Sequence, residues 1–343
     1  MPALSPYLAD CQFCKRAGGR RRRKKFTVSG CFLRGGGYGY PLSVKDQVMR
    51  SFLQINDFTA AEARAVLRLA EQFKTRRGAV HADLLRGQTY ALIFSKSSTR
   101  TRVSFEVGIR ELGGQPLFLN AGDIQLGRGE PIIDTARVLA KMVHGAVIRT
   151  YAQADVEQFA RYSGLPTINA LTDNEHPCQI LTDIFTYERT HGGIRGKKVA
   201  FIGDAACNVA HSFVHAAALF DFQLVCAAPD GYQARVTNAN TTLTASVSDA
   251  ARDADLLYTD VWISMGKEAE APARAAAFQG YQINADVLRL ARPDCMVLHC
   301  LPAYRGKEIT ADVLEARAAD IFEQAGNRLP VQQAIIAWLA GVR

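Results

Sequence analysis

The chain has 343 residues, of which 48% are hydrophobic and 22% are charged, and its formal net charge is +8. This composition is typical of a globular protein with room for two domains, and no run of 18 apolar residues predicts a membrane span. The charge is confined to one end, because residues 1–46 carry ten Lys or Arg against two Asp, while the remainder has equal numbers of basic and acidic residues. The body of the protein therefore gives no indication of nucleic-acid or membrane binding.

Residues 1–48 form a basic segment with six consecutive Lys or Arg at 20–25 and no helical or strand period. We expect this segment to be disordered, or to be a non-native extension upstream of Met49. Two alternatives stay open: an arm that binds nucleic acid or an anionic surface, and an organelle transit segment. A cytoplasmic location is expected, or the mitochondrial matrix if residues 1–48 are a genuine transit segment.

The eight cysteines of the chain are scattered, which favours reduced thiols over a disulfide framework. Cys11 and Cys14 form a lone pair with no second pair at zinc-site spacing, so no metal site is predicted.

The segment after residue 48 alternates predicted helices and strands. An amphipathic helix capped near Thr59 is predicted to extend to about Lys74. The predicted strands that follow are 89–94, 116–120, 145–150 and 166–170. One predicted helix begins at Ser98 or Thr99. Further helices are predicted at 132–143, 154–163 and 176–190, and a polar loop is predicted at 123–130. This alternation predicts a parallel sheet with helical crossovers.

The pattern restarts after a turn-rich break at residues 191–196. Strands are predicted at 198–203, 223–228, 255–260 and 296–302, and an amphipathic helix at 331–339. We therefore predict an α/β fold of two doubly wound parallel-sheet domains joined by helices, with the C-terminal helix packing back on the first domain. The predicted domains are 49–190 and 191–325, and the returning helical segment is 326–343.

A candidate anion site follows the first strand, where residues 98–102 read Ser-Thr-Arg-Thr-Arg. Free first-turn amides and the helix dipole favour an anion at this position, and Arg100 adds charge-assisted hydrogen bonds. Arginines at the positive end of a helix are locally unfavourable, which hints at function, although two surface charges would also explain them. Arg149 and His176 fall at other strand ends, and such ends share one edge of a parallel sheet.

A dinucleotide site is disfavoured. Gly203 ends a predicted strand that enters a helix, but the sequence that follows it lacks the second and third glycines through which backbone approaches a pyrophosphate.

Four motifs occur in the same order as in a known family. They are Ser-Thr-Arg-Thr-Arg at 98–102, His-Pro-Cys-Gln at 176–179, Asp-Val-Trp-Ile-Ser-Met-Gly at 260–266 and His-Cys-Leu-Pro at 299–302. From about Phe52 onward the chain thus resembles the carbamoyltransferases, and among them the members that use ornithine. The resemblance implies transfer of the carbamoyl group of carbamoyl phosphate to the δ-amine of L-ornithine. It also implies a homotrimer with sites shared between subunits, and no metal or cofactor.

By motif position, the resemblance assigns roles to individual residues. The implied carbamoyl-phosphate residues are Ser98, Thr99, Arg100, Thr101, Gln125, Arg149, His176, Gln179 and Arg328, with Gln125 reaching a neighbouring subunit's site. The implied ornithine residues are Asn208, Asp260, Ser264, Met265, Cys300 and Leu301. The residues expected to act in catalysis are Arg100, Arg149, His176, Asp260 and Cys300. Two places depart from the family pattern: Cys207 replaces an asparagine, and the surroundings of Arg328 lack the usual acidic and histidine residues.

The implied chemistry suits these residue types. Arginine and histidine donors can stabilise the oxygen that gains negative charge, and phosphate can take the proton of the amine. We expect Cys300 to align the amine and not to act as a nucleophile, and we expect residues 264–266 to close over the acceptor. An acylated ornithine and putrescine remain alternative acceptors, whereas aspartate is disfavoured by the last two motifs. A catalytically silent regulatory homologue is disfavoured by the intact arginines, His176 and Asp260.

Overall fold

The structure is a computed structural model, and it describes residues 50–343. The predictions for the basic segment at 1–48 therefore lie outside the described residues. The strands are Thr89–Phe94 (β1), Gln115–Asn120 (β2), Gly145–Arg149 (β3), Thr167–Leu171 (β4), Lys198–Ile202 (β5), Gln223–Ala227 (β6), Thr241–Thr244 (β7), Leu256–Thr259 (β8) and Met296–His299 (β9). The helices are Ala60–Thr75 (α1), Thr99–Glu111 (α2), Ile132–Leu139 (α3), Gln153–Ser163 (α4), Pro177–His191 (α5), Asn208–Phe220 (α6), Val247–Ala251 (α7), Ala271–Ala277 (α8), Ala285–Leu290 (α9), Ala311–Ala316 (α10) and Ala318–Leu339 (α11).

The strands form two sheets in which every pair is parallel. The first sheet has the order β2-β1-β3-β4, and the second has the order β7-β6-β5-β8-β9. In each sheet the chain first adds strands on one side of its first strand, β1 or β5, and then crosses to the other side. Such a change of side opens a crevice at the carboxyl ends of the neighbouring strands. The predicted fold of two parallel α/β sheets is confirmed.

Local caps explain where the helices near the candidate anion site begin and end. Ser98 caps α2, and its side chain accepts a hydrogen bond from the backbone N–H of Thr101 at 3.2 Å. After α2, Gly113 has φ +84°, and a Cβ there would lie 2.5 Å from the carbonyl oxygen of Ala82. Only glycine fits that turn without displacing backbone, so Gly113 explains why the helix ends here.

The C-terminal helix begins earlier than predicted. α11 starts at Ala318, so the predicted segment start at 326 and the predicted helix start at 331 both fall inside it. Pro330 lies within the helix, where it removes one backbone donor. Packing compensates for this loss, because the helix buries its apolar residues against α1, α2 and α5. Trp338, for example, makes an edge contact with Phe58 at 6.5 Å between ring centroids.

Three smaller differences concern the surface of the fold. The helix predicted at 132–143 ends at Leu139, and the predicted loop at 123–130 contains a short 3-10 helix, Gln125–Arg128. The edge strand β7 was not predicted, because its four residues carry little apolar pattern. Within residues 50–343, no helix combines the length and apolarity needed to cross a membrane.

Candidate active site

A cavity of about 430 Å³ lies at the carboxyl ends of strands from both sheets. Loops after β1, β3 and β4 contribute to it from the first sheet, and loops after β5, β8 and β9 contribute from the second. Of the residues predicted from the sequence, it is lined by Ser98, Arg100, Thr101, Arg149, His176, Asn208, Asp260, Ser264, Met265, Cys300, Leu301 and Arg328. The fold thus brings together residues that are up to 230 positions apart in the chain, from Ser98 to Arg328.

One end of the cavity is cationic. Arg149 and Arg328 are buried, with exposures of 7% and 2%, and Arg100 lies beside them at the start of α2. Within the described part of the chain, none of the three guanidinium groups has a carboxylate within 4.0 Å. Burial, Arg328 and Arg100 lower the pKa of Arg149 to about 10. Three uncompensated guanidinium groups create a strong preference for an anionic ligand.

Arg328 is oriented by side chains from two other helices. Its Nη1 donates to Gln179 Oε1 at 3.0 Å, and its Nη2 donates to Thr101 Oγ1 at 3.1 Å. Its Nε has no partner among the described residues. Gln179 and Thr101 thus fix the plane of the guanidinium group, which is the requirement for a preorganised donor.

His176 caps the start of α5 beside the arginines and is only 4% exposed. Burial and the positive charges of Arg328, Arg149 and Arg100 hold its pKa well below the ordinary value. Its Nδ1 is buried and has no hydrogen-bond partner within residues 50–343. A neutral imidazole at this position is suited to donate one hydrogen bond to a polarised oxygen.

The cavity also carries an acid and a thiol, next to Leu301, whose carbonyl oxygen accepts a hydrogen bond from Arg100 Nη2 at 2.6 Å. Cys300 Sγ donates to Asp260 Oδ1 at 2.9 Å, and the same oxygen accepts from Val261 N at 2.7 Å. Burial raises the pKa of Asp260, and burial together with Asp260 raises the pKa of Cys300 well above its usual range. The thiol is therefore protonated at neutral pH and is a poor nucleophile.

The loop that contains Ser264 and Met265 is held at its base by hydrogen bonds from Arg274. Arg274, on α8, is 6% exposed and donates through Nη1 to Asp204 Oδ2 at 2.7 Å and to Trp262 O at 3.0 Å. Met265, in the neighbouring loop, is 47% exposed. The loop with Ser264 and Met265 is thus anchored at its base while its tip is accessible, as a closing loop requires.

Three predicted residues do not line the cavity. Thr99 and Gln125 are exposed side chains, and Gln179 lies behind the cavity, where it contacts Arg328. Gln179 also donates through Nε2 to Asp183 Oδ1 at 2.9 Å. In this chain Gln179 therefore positions a cation of the site.

Sequence reasoning missed several residues that do line the cavity. Lys96 is 5% exposed, pairs with Asp173 and lies 4.3 Å above the ring of Tyr151. Asp204, Arg235 and Arg274 also contribute. The position of Lys96 between β1 and the arginine motif was a usable signal, whereas the Asp204 to Arg274 pair spans 70 residues and leaves no local pattern.

Comparisons with known proteins agree with this site. Residues 50–189 match the family model "Aspartate/ornithine carbamoyltransferase, carbamoyl-P binding domain", and residues 195–339 match the corresponding "Asp/Orn binding domain". An ornithine carbamoyltransferase of Akkermansia muciniphila is 50% identical over 303 residues, which cover 86% of this chain and 99% of that protein. One of Geobacter sulfurreducens is 49% identical over 304 residues, covering 85% and 99%.

Solved structures are similar in the same way. The anabolic ornithine carbamoyltransferase of Campylobacter jejuni superposes with a TM-score of 0.80 at 38% identity, covering 86% of this chain and 100% of that one. The ornithine carbamoyltransferase of Pyrococcus furiosus superposes with a TM-score of 0.79 at 42% identity, covering 86% and 98%. On the strength of these matches and of the site described above, the chain belongs to the aspartate/ornithine carbamoyltransferase family.

Proposed function

We propose that this protein transfers the carbamoyl group of carbamoyl phosphate to the δ-amine of L-ornithine, giving L-citrulline and phosphate. The observation that carries the proposal is the placement of three guanidinium groups without carboxylate partners, within residues 50–343, at one end of a cavity. The same cavity also holds Asp260 and Cys300. A dianionic donor fits the guanidinium groups and an amine acceptor fits the acid and the thiol, and the relatives reported above are named ornithine carbamoyltransferases.

The residues then act by orientation and electrostatics. The neutral δ-amine attacks the carbamoyl carbon, and Arg149 and His176 donate hydrogen bonds to the carbonyl oxygen as it gains negative charge. The bond from carbon to the phosphate oxygen breaks, and the leaving phosphate takes the proton that the amine loses. Arg100 with the Ser98 cap holds the phosphate, so no covalent intermediate on the protein is needed.

On the acceptor side, we assign the α-amino and carboxylate groups of ornithine to Asn208, Asp260, Ser264 and Met265. Cys300 and the carbonyl group of Leu301 align the δ-amine. In this division, residues 49–190 bind carbamoyl phosphate and residues 191–325 bind ornithine, while α11 supplies Arg328 across the boundary.

The test of this function is phosphate release from carbamoyl phosphate, with identification of the carbamoylated product, for a panel of acceptors: ornithine, N-acylated ornithine, putrescine and aspartate. We expect turnover with ornithine to exceed turnover with each other amine by at least about a hundredfold, the discrimination that well-placed polar groups provide. Good turnover of a different amine with none of ornithine would contradict the proposal.

We also propose a homotrimer whose sites are completed by Gln125 from a neighbouring subunit. Gln125 is exposed and does not line the cavity of its own chain. Large apolar side chains on α2, on β2 and on and just after α3 are also exposed: Val103, Leu117, Val138 and Met142. Exposed apolar surface of this kind supports an interface between copies of the chain.

The bacterial relatives support a cytoplasmic location.

A further inference from the structure

The direction of the His176 ring depends on how its backbone is held. His176 has φ −133° and ψ 62°, which is neither helical nor extended, and no side chain caps the helix there. The following Pro177 also disfavours a helical conformation at this residue. The ring atom Nδ1 has no hydrogen-bond partner within residues 50–343. The ring is therefore directed by the contacts that fix the backbone of His176.

Both backbone groups of His176 are hydrogen-bonded, each to a different helix. Its carbonyl oxygen accepts from the N–H of Gln179 at 3.0 Å and of Ile180 at 3.3 Å, in the first turn of α5. Its N–H donates to the hydroxyl oxygen of Ser212 at 2.9 Å. Ser212 is fully buried on α6, the helix that connects β5 to β6. A single hydroxyl group of α6 thus holds the amino side of His176.

This contact requires the proton of the Ser212 hydroxyl to point away from His176. A hydroxyl group has one proton, and its oxygen accepts the N–H of His176 only through a lone pair that the proton leaves free. Ser212 donates that proton to Oε2 of Glu175, whose side chain is buried. Without this acceptor the hydroxyl group would be free to rotate and to weaken its bond to His176.

The carboxylate of Glu175 is itself held by α6. Its Oε1 faces Nε2 of His215 at 3.3 Å and Nδ1 of His211 at 3.4 Å. The amide of Asn56 donates to Nδ1 of His215 at 2.7 Å, so the proton of that ring is on Nε2. Nδ1 of His211 donates to the carbonyl oxygen of Asn174 at 2.7 Å. Both nitrogens that face the carboxylate therefore carry protons, which favours its ionised form.

We infer that Glu175 and Ser212 are positioning residues for His176 in carbamoyl transfer. Glu175 orients the hydroxyl group of Ser212, and Ser212 fixes the backbone from which the His176 ring reaches the carbonyl oxygen of the substrate. Neither Glu175 nor Ser212 lines the cavity, so both act through His176. The inference rests on the proposed function, in which His176 donates to that oxygen, and a donor displaced by about 1 Å can cost about a hundredfold in rate.

The test is a double-mutant cycle at about pH 8.5, where Glu175 is ionised because burial raises its pKa to about 7. Ser212→Ala should lower kcat for citrulline formation by about tenfold to a hundredfold and leave KM for carbamoyl phosphate nearly unchanged, because His176 acts on charge that develops in the transition state. In a His176→Gln background, Ser212→Ala should cost less than about twofold. Losses that simply multiply would show that Ser212 acts independently of His176 and would overturn the inference.

Two substitutions of Glu175 separate the acceptor from the packing. Glu175→Gln keeps an oxygen that accepts the proton of Ser212, so it should retain most of the parental kcat. Glu175→Met has a similar length without an acceptor, so its kcat should fall toward that of Ser212→Ala. Thr167→Val is the matched control, because it removes another fully buried hydroxyl group, which donates to the Leu165 carbonyl oxygen at 3.0 Å, and it should keep the parental kcat. Equal activity of the two Glu175 variants would contradict the role of the acceptor.

Crystal structures give a readout that does not depend on turnover. The His176 ring should be displaced, or should occupy more than one orientation, in Ser212→Ala and in Glu175→Met, which serves if Ser212→Ala does not fold. The ring should keep its parental position in Thr167→Val. A parent that carbamoylates no acceptor would refute the proposed function, and the position of the ring would still decide the inference. An undisturbed His176 ring in both Ser212→Ala and Glu175→Met would overturn it.

Discussion

At the scale of single residues, the site is governed by guanidinium groups that have no carboxylate within 4.0 Å among residues 50–343. Arg149 and Arg328 are both buried, and burial lowers the pKa of each guanidinium group. Repulsion from Arg328 lowers the pKa of Arg149 further, and repulsion from Arg100 does the same for Arg328. Such an arrangement costs stability in the free protein and is compensated when a dianion binds.

Substitution Arg100→Ala should lower kcat/KM for carbamoyl phosphate by about 10²–10³, because a preorganised charged donor to the substrate is lost. Arg100→Lys should fall between the two proteins, since lysine keeps the charge without the fork of donors. Citrulline formation at varied carbamoyl phosphate measures the effect, with circular dichroism as the check on folding. Near-parental kinetics in Arg100→Ala would refute the phosphate assignment.

The thiol of Cys300 should become more reactive when its neighbour is neutralised. Asp260 raises the pKa of Cys300 through its charge and its hydrogen bond, so Asp260→Asn should lower that pKa. At pH 8, each unit of decrease raises the thiolate fraction, and hence the rate of alkylation, by about tenfold. Peptide-resolved mass spectrometry with iodoacetamide measures the rate at Cys300, and the buried Cys226 serves as the internal control. An unchanged or slower reaction at Cys300 would contradict the argument.

At the scale of elements, α5 and α11 meet in a buried polar seam. Asp183 on α5 accepts hydrogen bonds from Gln179 and from Gln324 of α11, and Asn327 Nδ2 donates to Thr186 Oγ1 at 3.0 Å. This seam orients Arg328, which is also on α11. Burial raises the pKa of Asp183 to about 7, so the seam prefers a neutral carboxyl group.

The pH dependence of stability should reveal this carboxyl group. In the unfolded chain Asp183 ionises near its ordinary pKa of 3.8, whereas burial raises its pKa to about 7 in the folded protein. The folded state therefore loses stability as the pH rises between these values, and the loss is complete above the folded pKa. Asp183→Asn, which stays neutral, should gain stability relative to the parent between pH 4 and pH 7 and keep a constant advantage above it.

Urea denaturation at pH 5, 6, 7 and 8 measures this difference. Asp255→Asn is a matched control, because Asp255 is paired with Lys197 and should show no such gain with pH. A gap between Asp183→Asn and the parent that shrinks as the pH rises would show that the sign is wrong.

At the scale of the whole molecule, the proposed trimer requires that Gln125 of one subunit complete the active site of the next subunit. Its own cavity does not include it, although the loop from Gln125 to Arg128 is attached to the first sheet. In a closed ring of identical subunits, a residue missing from one site can come from the next subunit. The proposal of shared sites predicts a result that a self-contained subunit cannot give.

Arg100→Ala and Gln125→Ala should each be nearly inactive alone but should complement each other when their subunits are mixed. With random exchange in a ring, about one quarter of the sites combine an intact Arg100 with an intact Gln125 from the neighbour. Citrulline formation after co-expression of the two variants should therefore recover up to about this share of parental activity. Activity equal to the average of the two separate variants would contradict shared sites.

The sequence could predict much of the fold for a definite reason. Strands such as β1 and β5 are buried on both faces and read as short apolar runs, and helices such as α1 carry their own caps and apolar face. The ends of these runs also located Arg100, Arg149 and Asp260 at one edge of their sheets. These properties depend on residues that are close together in the chain, so the sequence alone can predict them.

Other properties depend on contacts between distant segments, and only the tertiary structure decided them. The start of α11 at Ala318 and the tolerance of Pro330 follow from packing on α1, α2 and α5. The role of Gln179 behind Arg328 and the convergence of Glu175 with two histidines of α6 likewise join residues far apart in the chain. The sequence by itself therefore determined the elements and the chemistry at their ends, whereas the tertiary structure decided which side chains face the ligand and which hold those side chains in place, because such contacts have no local period.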